Sequence, residues 1–143
     1  MAEVGELSAV SELSAVGYFT KVFEMLDRKL DDKTRTIIAI DGNSGAGKSR
    51  LAGLLAERYD CNIIHMDDFF LQPHQRTKER LEEAGGNIDY ERFYREVAEP
   101  LKRNKEFQYQ LYDCSQMALT DAIRITPKKL NIIEGVYSMR PLW

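Results

Sequence analysis

The chain has few of the residues that build cross-linked or fibrous scaffolds. Its 143 residues include two cysteines, four prolines and one tryptophan. Cys61 and Cys114 cannot supply the dense disulfide frame of a small secreted domain, and they lack the close spacing of a zinc ligand set. They are expected to stay reduced, which points to the cytoplasm. No apolar run approaches the roughly 20 residues of a membrane span. The acidic N-terminus lacks the basic start and apolar stretch of a secretory signal, so no membrane partner is expected. Charge is not one-sided either: 20 Lys and Arg against 23 Asp and Glu leave a formal net charge of -3. That balance speaks against generalised nucleic-acid binding. His65 and His74 have no metal spacing and receive no role.

What the chain does have is glycine in a telling place. Gly42, Asn43, Ser44, Gly45, Ala46, Gly47, Lys48 and Ser49 fit the pattern G-x-x-x-x-G-K-[ST] at every fixed position. Glycines let successive backbone N–H groups turn inward and form a nest for anionic oxygens. A helix beginning there would aim its positive end at the same point. Lys48 is expected to reach the β- and γ-phosphates of a nucleotide, and the Ser49 hydroxyl to ligate Mg²⁺. The flanks agree. Residues 36–40 form an apolar, β-branched run that reads as a buried strand. After the glycines, Leu51, Leu54, Leu55 and Tyr59 fall at helical spacing.

Residues 6–30 are predicted to be helical, with Leu13, Val16, Phe19, Phe23, Leu26 and Leu30 three or four apart. Within them Glu-Leu-Ser-Ala-Val occurs from Glu6 and again from Glu12, a local duplication with no function attached. The domain reading is an N-terminal helical segment, 1–34, packed on a core of 35–143. A second strand is expected over 61–66. The polar stretch 72–87 is a long connection of the kind that often carries function. A helix is predicted over 90–103, with Phe93, Val97 and Leu101 inward and Pro100 disturbing its regularity. Residues 107–111 and 119–125 read as short strands or extended loops, and 130–134 as a further strand. Alternating β and α elements imply a parallel sheet with helices on its faces.

In such a sheet the ligand sits beyond the carboxyl ends of the strands. Asp41 enters the glycine loop, Asp67 and Asp68 end the 61–66 strand, and Glu134 ends the last one. Nucleotide chemistry with Mg²⁺ needs one carboxylate to hold the metal and another to accept a proton from an attacking hydroxyl. Neighbouring residues leaving a strand point to opposite sides, so Asp67 and Asp68 are expected to differ in role. Phe69 and Phe70 are open between pocket wall and core. Arg76, Lys78 and Arg80 could steer an anionic acceptor, but a solvated face balanced by Glu79, Glu82 and Glu83 is the preferred reading.

The runs from Ile40 to Ser49, from His65 to Phe70 and from Ile132 to Gly135 together resemble the uridine kinase family. That family lies in a wider group with nicotinamide riboside kinase, phosphoribulokinase and bacterial pantothenate kinase. The resemblance implies an α/β P-loop NTPase sandwich with a parallel sheet. It implies ATP and Mg²⁺ as cofactors and a small hydroxyl-bearing acceptor, a nucleoside or similar. Asp67 matches the carboxylate that deprotonates the acceptor hydroxyl, and Glu134 the residue that organises Mg²⁺ with Ser49. Asp89 lies where the family places a substrate-contacting Asp, and Tyr112 with Asp113 resembles a Tyr-Asp pair near the acceptor. The proline and histidine that flank this pair in nucleoside-specific members are absent here.

The expected activity is therefore phosphoryl transfer from ATP to a hydroxyl. The alternatives left open are a nucleotide-hydrolysing P-loop protein and a non-catalytic ATP-binding module. Family members continue past the 130–134 strand with an arginine-bearing lid and more strands, so the chain reads as an N-terminal portion. On that reading the 36–40 strand has a bare edge, and the chain is expected to self-associate, bind ATP weakly and turn over slowly.

Overall fold

In a computed structural model, residues 2–8, 12–31, 35–41 and 48–135 are described. They form two compact units, 2–64 with 128–135 and 65–127.

The first unit is built on strands β1 (Ala2–Ser8), β2 (Arg35–Asp41), β3 (Cys61–His65) and β6 (Leu130–Glu134), with helices α1 (Glu12–Asp31) and α2 (Lys48–Arg58). The sheet order is β1-β2-β6-β3. β1 pairs parallel to β2, from Ala2 opposite Arg35 to Ser8 opposite Asp41. β2 pairs parallel to β6, from Thr36 opposite Leu130 to Ile40 opposite Glu134. Side chains fix β3 beside β6. Lys128 Nζ stands 2.8 Å from Asp60 Oδ1, and Asn62 Nδ2 donates to Asn131 Oδ1 at 2.8 Å. Both contacts join residues in the same order along the two strands, so β3 runs in the direction of β6.

The apolar runs explain this placement. Alternate residues of a strand face opposite ways. Ile38 and Ile40 of β2 and Leu130 and Ile132 of β6 join one cluster with Val22 and Leu26 of α1 and Leu51, Ala52 and Leu55 of α2. On the opposite face Ile37, Ala39, Asn131 and Ile133 are also buried. A run buried on both faces is what a central parallel strand requires. Each fully buried Leu or Ile contributes about 1.5–3 kcal/mol relative to exposure.

The second unit holds a 3₁₀ turn (Met66–Phe69), another at Pro73–Gln75, and the short helix α3 (Lys78–Glu82). A helical stretch follows, from α4 (Tyr90–Phe93) through a π turn (Tyr94–Ala98) into α5 (Glu99–Lys102). It closes with a hairpin of β4 (Phe107–Asp113) and β5 (Ala118–Ile125). Phe93, Val97 and Leu101 are buried, as their spacing predicts. Pro100 does not end the helix. It has no N–H to donate and its ring crowds the carbonyl one turn back, and the π turn just before it loosens that geometry, with Glu99 N–H donating to the Tyr94 carbonyl.

Two expectations need correction. Residues 2–8 are not helical, and the helix begins only at Glu12. Gly5 weakens a helix there, while a full row of backbone partners on β2 rewards a strand. For the same reason the edge of β2 expected to be bare is covered by β1. The segments 107–111 and 119–125, left open between strand and loop, are strands and pair in an antiparallel hairpin. Its reversal is held by Asp113, whose Oδ1 accepts from Ser115 N–H at 2.8 Å and Ser115 Oγ at 2.6 Å.

Candidate active site

The nest residues Gly42, Asn43, Ser44, Gly45, Ala46 and Gly47 lie outside the described residues, as do the side chains of Lys48 and Ser49. Their flanks are described. β2 delivers the chain to Asp41, and α2 begins at Lys48. A strand and a helix thus flank the motif in the order it requires. At the carboxyl end of this sheet Glu134 stands opposite Ile40, and Gly135 N–H donates to the Ile40 carbonyl at 3.1 Å. Glu134 is buried. Gly135 has φ 140°, a conformation closed to most side chains, so the end of β6 requires glycine. One carboxylate is thereby set beside the strand that feeds the loop. Among the described residues no group of three His, Cys, Asp or Glu is placed to hold a metal.

In the second unit Asp67 and Asp68 share the turn Met66–Phe69 but not an environment. Asp67 is exposed and Asp68 half-buried. Burial pushes the Asp68 carboxyl above its ordinary range, His65 opposes this, and the charge of Asp67 adds to it. The paired phenylalanines also divide. Phe69 is fully buried, with Phe93 edge-on at 5.1 Å and Tyr109 at 5.3 Å between ring centroids. Phe70 is half-buried against Tyr112 at 6.1 Å.

Asp89 caps α4, its Oδ1 accepting from Arg92 N–H at 3.1 Å. Its Oδ2 accepts from Gln75 Nε2 at 3.0 Å. A backbone clasp brings it there. Asp89 N–H donates to the Phe69 carbonyl, Leu71 N–H to that of Asn87, and Phe70 bridges Ile88. Asp89 therefore sits beside the turn that carries Asp67 and Asp68. Tyr112 is buried, and its hydroxyl accepts from Arg76 Nη2 at 3.4 Å. Arg76 Nε donates to the Leu71 carbonyl at 3.3 Å. The second unit thus groups Asp89 and Gln75, and joins Tyr112 to Arg76 and Phe70.

Arg76, Lys78 and Arg80 do not act as one cationic group. Arg80 donates to the carbonyls of Gly86 and Ile88 and to Glu91, and lies 3.8 Å over the Tyr90 ring. It fastens the connection 72–87, and Lys78 is exposed. Gln75 and the buried Arg92 were not singled out by the sequence reading. Asp89, Arg92 and Glu96, at i, i+3 and i+7, mark one face of a helix and are the signal that points to Arg92.

No protein-family model matches the chain, and no curated protein matches it. Among solved structures, one described as a possible uridine kinase from Bacillus stearothermophilus is similar in fold. Its TM-score is 0.65 at 22% sequence identity, covering 86% of this chain and 76% of that one. No helix among the described residues is long and apolar enough to cross a membrane. The chain has a mixed α/β architecture with a parallel sheet, and its likeness to that structure is one of fold.

Proposed function

We propose that this chain is an ATP-dependent small-molecule kinase that moves the γ-phosphoryl group of ATP to a hydroxyl of its acceptor. The observation that carries this reading is the G-x-x-x-x-G-K-S run that follows β2, with buried Glu134 in register with Ile40 of that strand. The likeness in fold to a possible uridine kinase supports it.

Lys48 and the loop N–H groups would hold the phosphates. Ser49 and Glu134 offer a hydroxyl and a carboxylate, the oxygen donors that Mg²⁺ takes together with substrate phosphates. When bound, that ion would neutralise charge on the β- and γ-phosphate oxygens. Asp67 would take the proton of the acceptor hydroxyl as its oxygen bonds to the γ-phosphorus and ADP leaves. Asp89 and Tyr112 would contact the acceptor. Positioning and charge neutralisation would supply the rate. No nucleic acid or membrane enters this reading. Two free cysteines fit a reducing compartment, so we place the chain in the cytoplasm.

The test incubates the chain with γ-labelled ATP, Mg²⁺ and a panel of nucleosides, pantothenate and sugar alcohols. Label transferred to one of these acceptors supports the reading. Label appearing only in inorganic phosphate, whatever acceptor is present, overturns it.

A further inference from the structure

Arg92 is the most deeply buried charged side chain of the second unit for which a hydrogen-bond partner set is described, with 4% of its side chain exposed. Its guanidinium reaches three segments. Nη2 donates to the carbonyl of Asp68, in the turn that carries Asp67. Nη1 donates to the carbonyl of Gln110 at 2.9 Å, on the outer edge of β4 where the pairing register with β5 shifts. Glu96 Oε1 stands 3.6 Å from Nη1 and also accepts the Gln110 N–H at 3.1 Å. The guanidinium carbon lies over the Phe69 ring, 4.2 Å from its centroid. Nε has no hydrogen-bond partner, and Asp89 Oδ2 lies 3.9 Å from it.

A guanidinium is an expensive way to fill a core. Desolvation presses its proton affinity down, against the pull of Glu96 and Asp89. A packed apolar side chain at such a place is often no less stable. What an apolar side chain cannot do is bind two carbonyls on different segments in a fixed fork. Here one of those carbonyls belongs to the Asp67–Asp68 turn, and the neighbouring carboxylate is Asp89.

We propose that Arg92 is a positioning residue for phosphoryl transfer: it holds the turn that presents Asp67 against β4 and Asp89. This rests on the kinase reading above. Arg92 touches no reacting atom and acts through the Asp68 carbonyl. Loosening the turn moves a proton acceptor relative to its hydroxyl, and a misplacement of about 1 Å can cost about 10²-fold in rate.

The experiment compares Arg92→Lys, which keeps the charge but loses the fork, with Arg58→Lys, which disturbs an ion pair with Asp27 in the first unit. Two readouts are taken on the whole chain: single-turnover transfer from γ-labelled ATP, and amide hydrogen exchange across Met66–Phe69. For Arg92→Lys we expect faster exchange in the turn, transfer slower by about 10²-fold, and unchanged ATP affinity. Arg58→Lys should leave both the turn and the transfer rate of folded molecules unchanged. If Arg92→Lys does not fold, Arg92→Met removes the buried charge at similar length and carries the same two readouts. Unchanged exchange in the turn, unchanged transfer, or an equal loss of transfer in Arg58→Lys overturns the proposal. A wild-type chain that labels no acceptor defeats the kinase reading and Arg92's place in transfer with it. A turn that still loosens only in the Arg92 variants separates that failure from an error about what Arg92 holds.

Discussion

Gly86 offers a sharp test of how the second unit is held. A Cβ built on Gly86 would fall far inside contact distance of the Arg80 carbonyl oxygen, 2.9 Å from the Arg80 carbonyl carbon and 3.0 Å from the Glu83 carbonyl oxygen. These are backbone atoms and cannot swing aside as a side-chain tip would. Gly86→Ala must therefore move one backbone segment away from the other. Three hydrogen bonds cross that contact: Gly86 N–H to the Glu83 carbonyl at 2.9 Å, Glu83 N–H to the Arg80 carbonyl at 3.1 Å, and Arg80 Nε to the Gly86 carbonyl at 3.2 Å. At about 1 kcal/mol net for each, their loss costs about 3 kcal/mol. For a chain of this size that lowers Tm by about 10 °C. Gly53 is the control. It lies exposed in α2 with nothing within 4 Å of a built Cβ. Alanine is favoured over glycine inside a helix by about 1 kcal/mol, so Gly53→Ala should raise Tm by about 3 °C. Calorimetric melts of the three proteins decide the matter. A Gly86→Ala variant that melts with the wild type would refute the packing of the 80–86 segment. The loop from Gly86 also delivers Asp89, so the same variant should bind acceptor less tightly while ATP affinity holds.

Four further outcomes are expected. Asp67→Asn should slow transfer by about 10²–10⁴-fold, the usual worth of a general base, with ATP affinity unchanged in a calorimetric titration. If Asp68→Asn is the crippling change instead, the roles within the turn are assigned one residue out. On the kinase reading Lys48→Ala should weaken MgATP binding because it would remove a cation from the proposed phosphate site, and unchanged affinity in a folded variant removes Lys48 from that site. Burial and the hydrogen bond to Asp27 push the Tyr59 phenol up to about 12 from its ordinary 10.0. A raised acid favours the folded state while protonated, so this stabilisation is complete below pH 10.0 and is lost as pH rises to about 12. Alkaline denaturation of Tyr59→Phe should lack that part of the slope, and identical profiles would contradict it. Deleting residues 1–8 removes the β1 partner of β2, and light scattering should then report association through the uncovered edge; a deleted chain that stays monomeric contradicts this.

How much of this was legible in the sequence varies with how local the cause is. The order β2, glycine run, α2 is written in adjacent residues, and Phe93, Val97 and Leu101 are buried where their spacing puts them. The duplicated pentapeptide shows the limit. Glu6, Leu7 and Ser8 lie in a strand, while Glu12, Leu13 and Ser14 open a helix. The same residues take two conformations because only the first copy has β2 to pair with, and pairing partners are not local information. The β4–β5 hairpin was ambiguous for the same reason: Phe107 and Tyr109 alternate as a strand does, but nothing local says which sheet receives it. Asp67, Asp89, Tyr112 and Glu134 can be singled out from the sequence by the motifs in which they stand. Arg92 was not singled out, because arginine is ordinarily a surface residue. Its burial follows from carbonyls on the 66–69 turn and on β4 that only the fold brings within reach.

The kinase reading stands or falls on where the γ-phosphoryl group of ATP goes. With γ-labelled ATP and Mg²⁺, the wild-type chain is expected to label a small hydroxyl-bearing acceptor, and Asp67→Asn to abolish most of that labelling without releasing more phosphate to water. Label found only in inorganic phosphate at a rate indifferent to every acceptor, or no nucleotide binding at all, would contradict it.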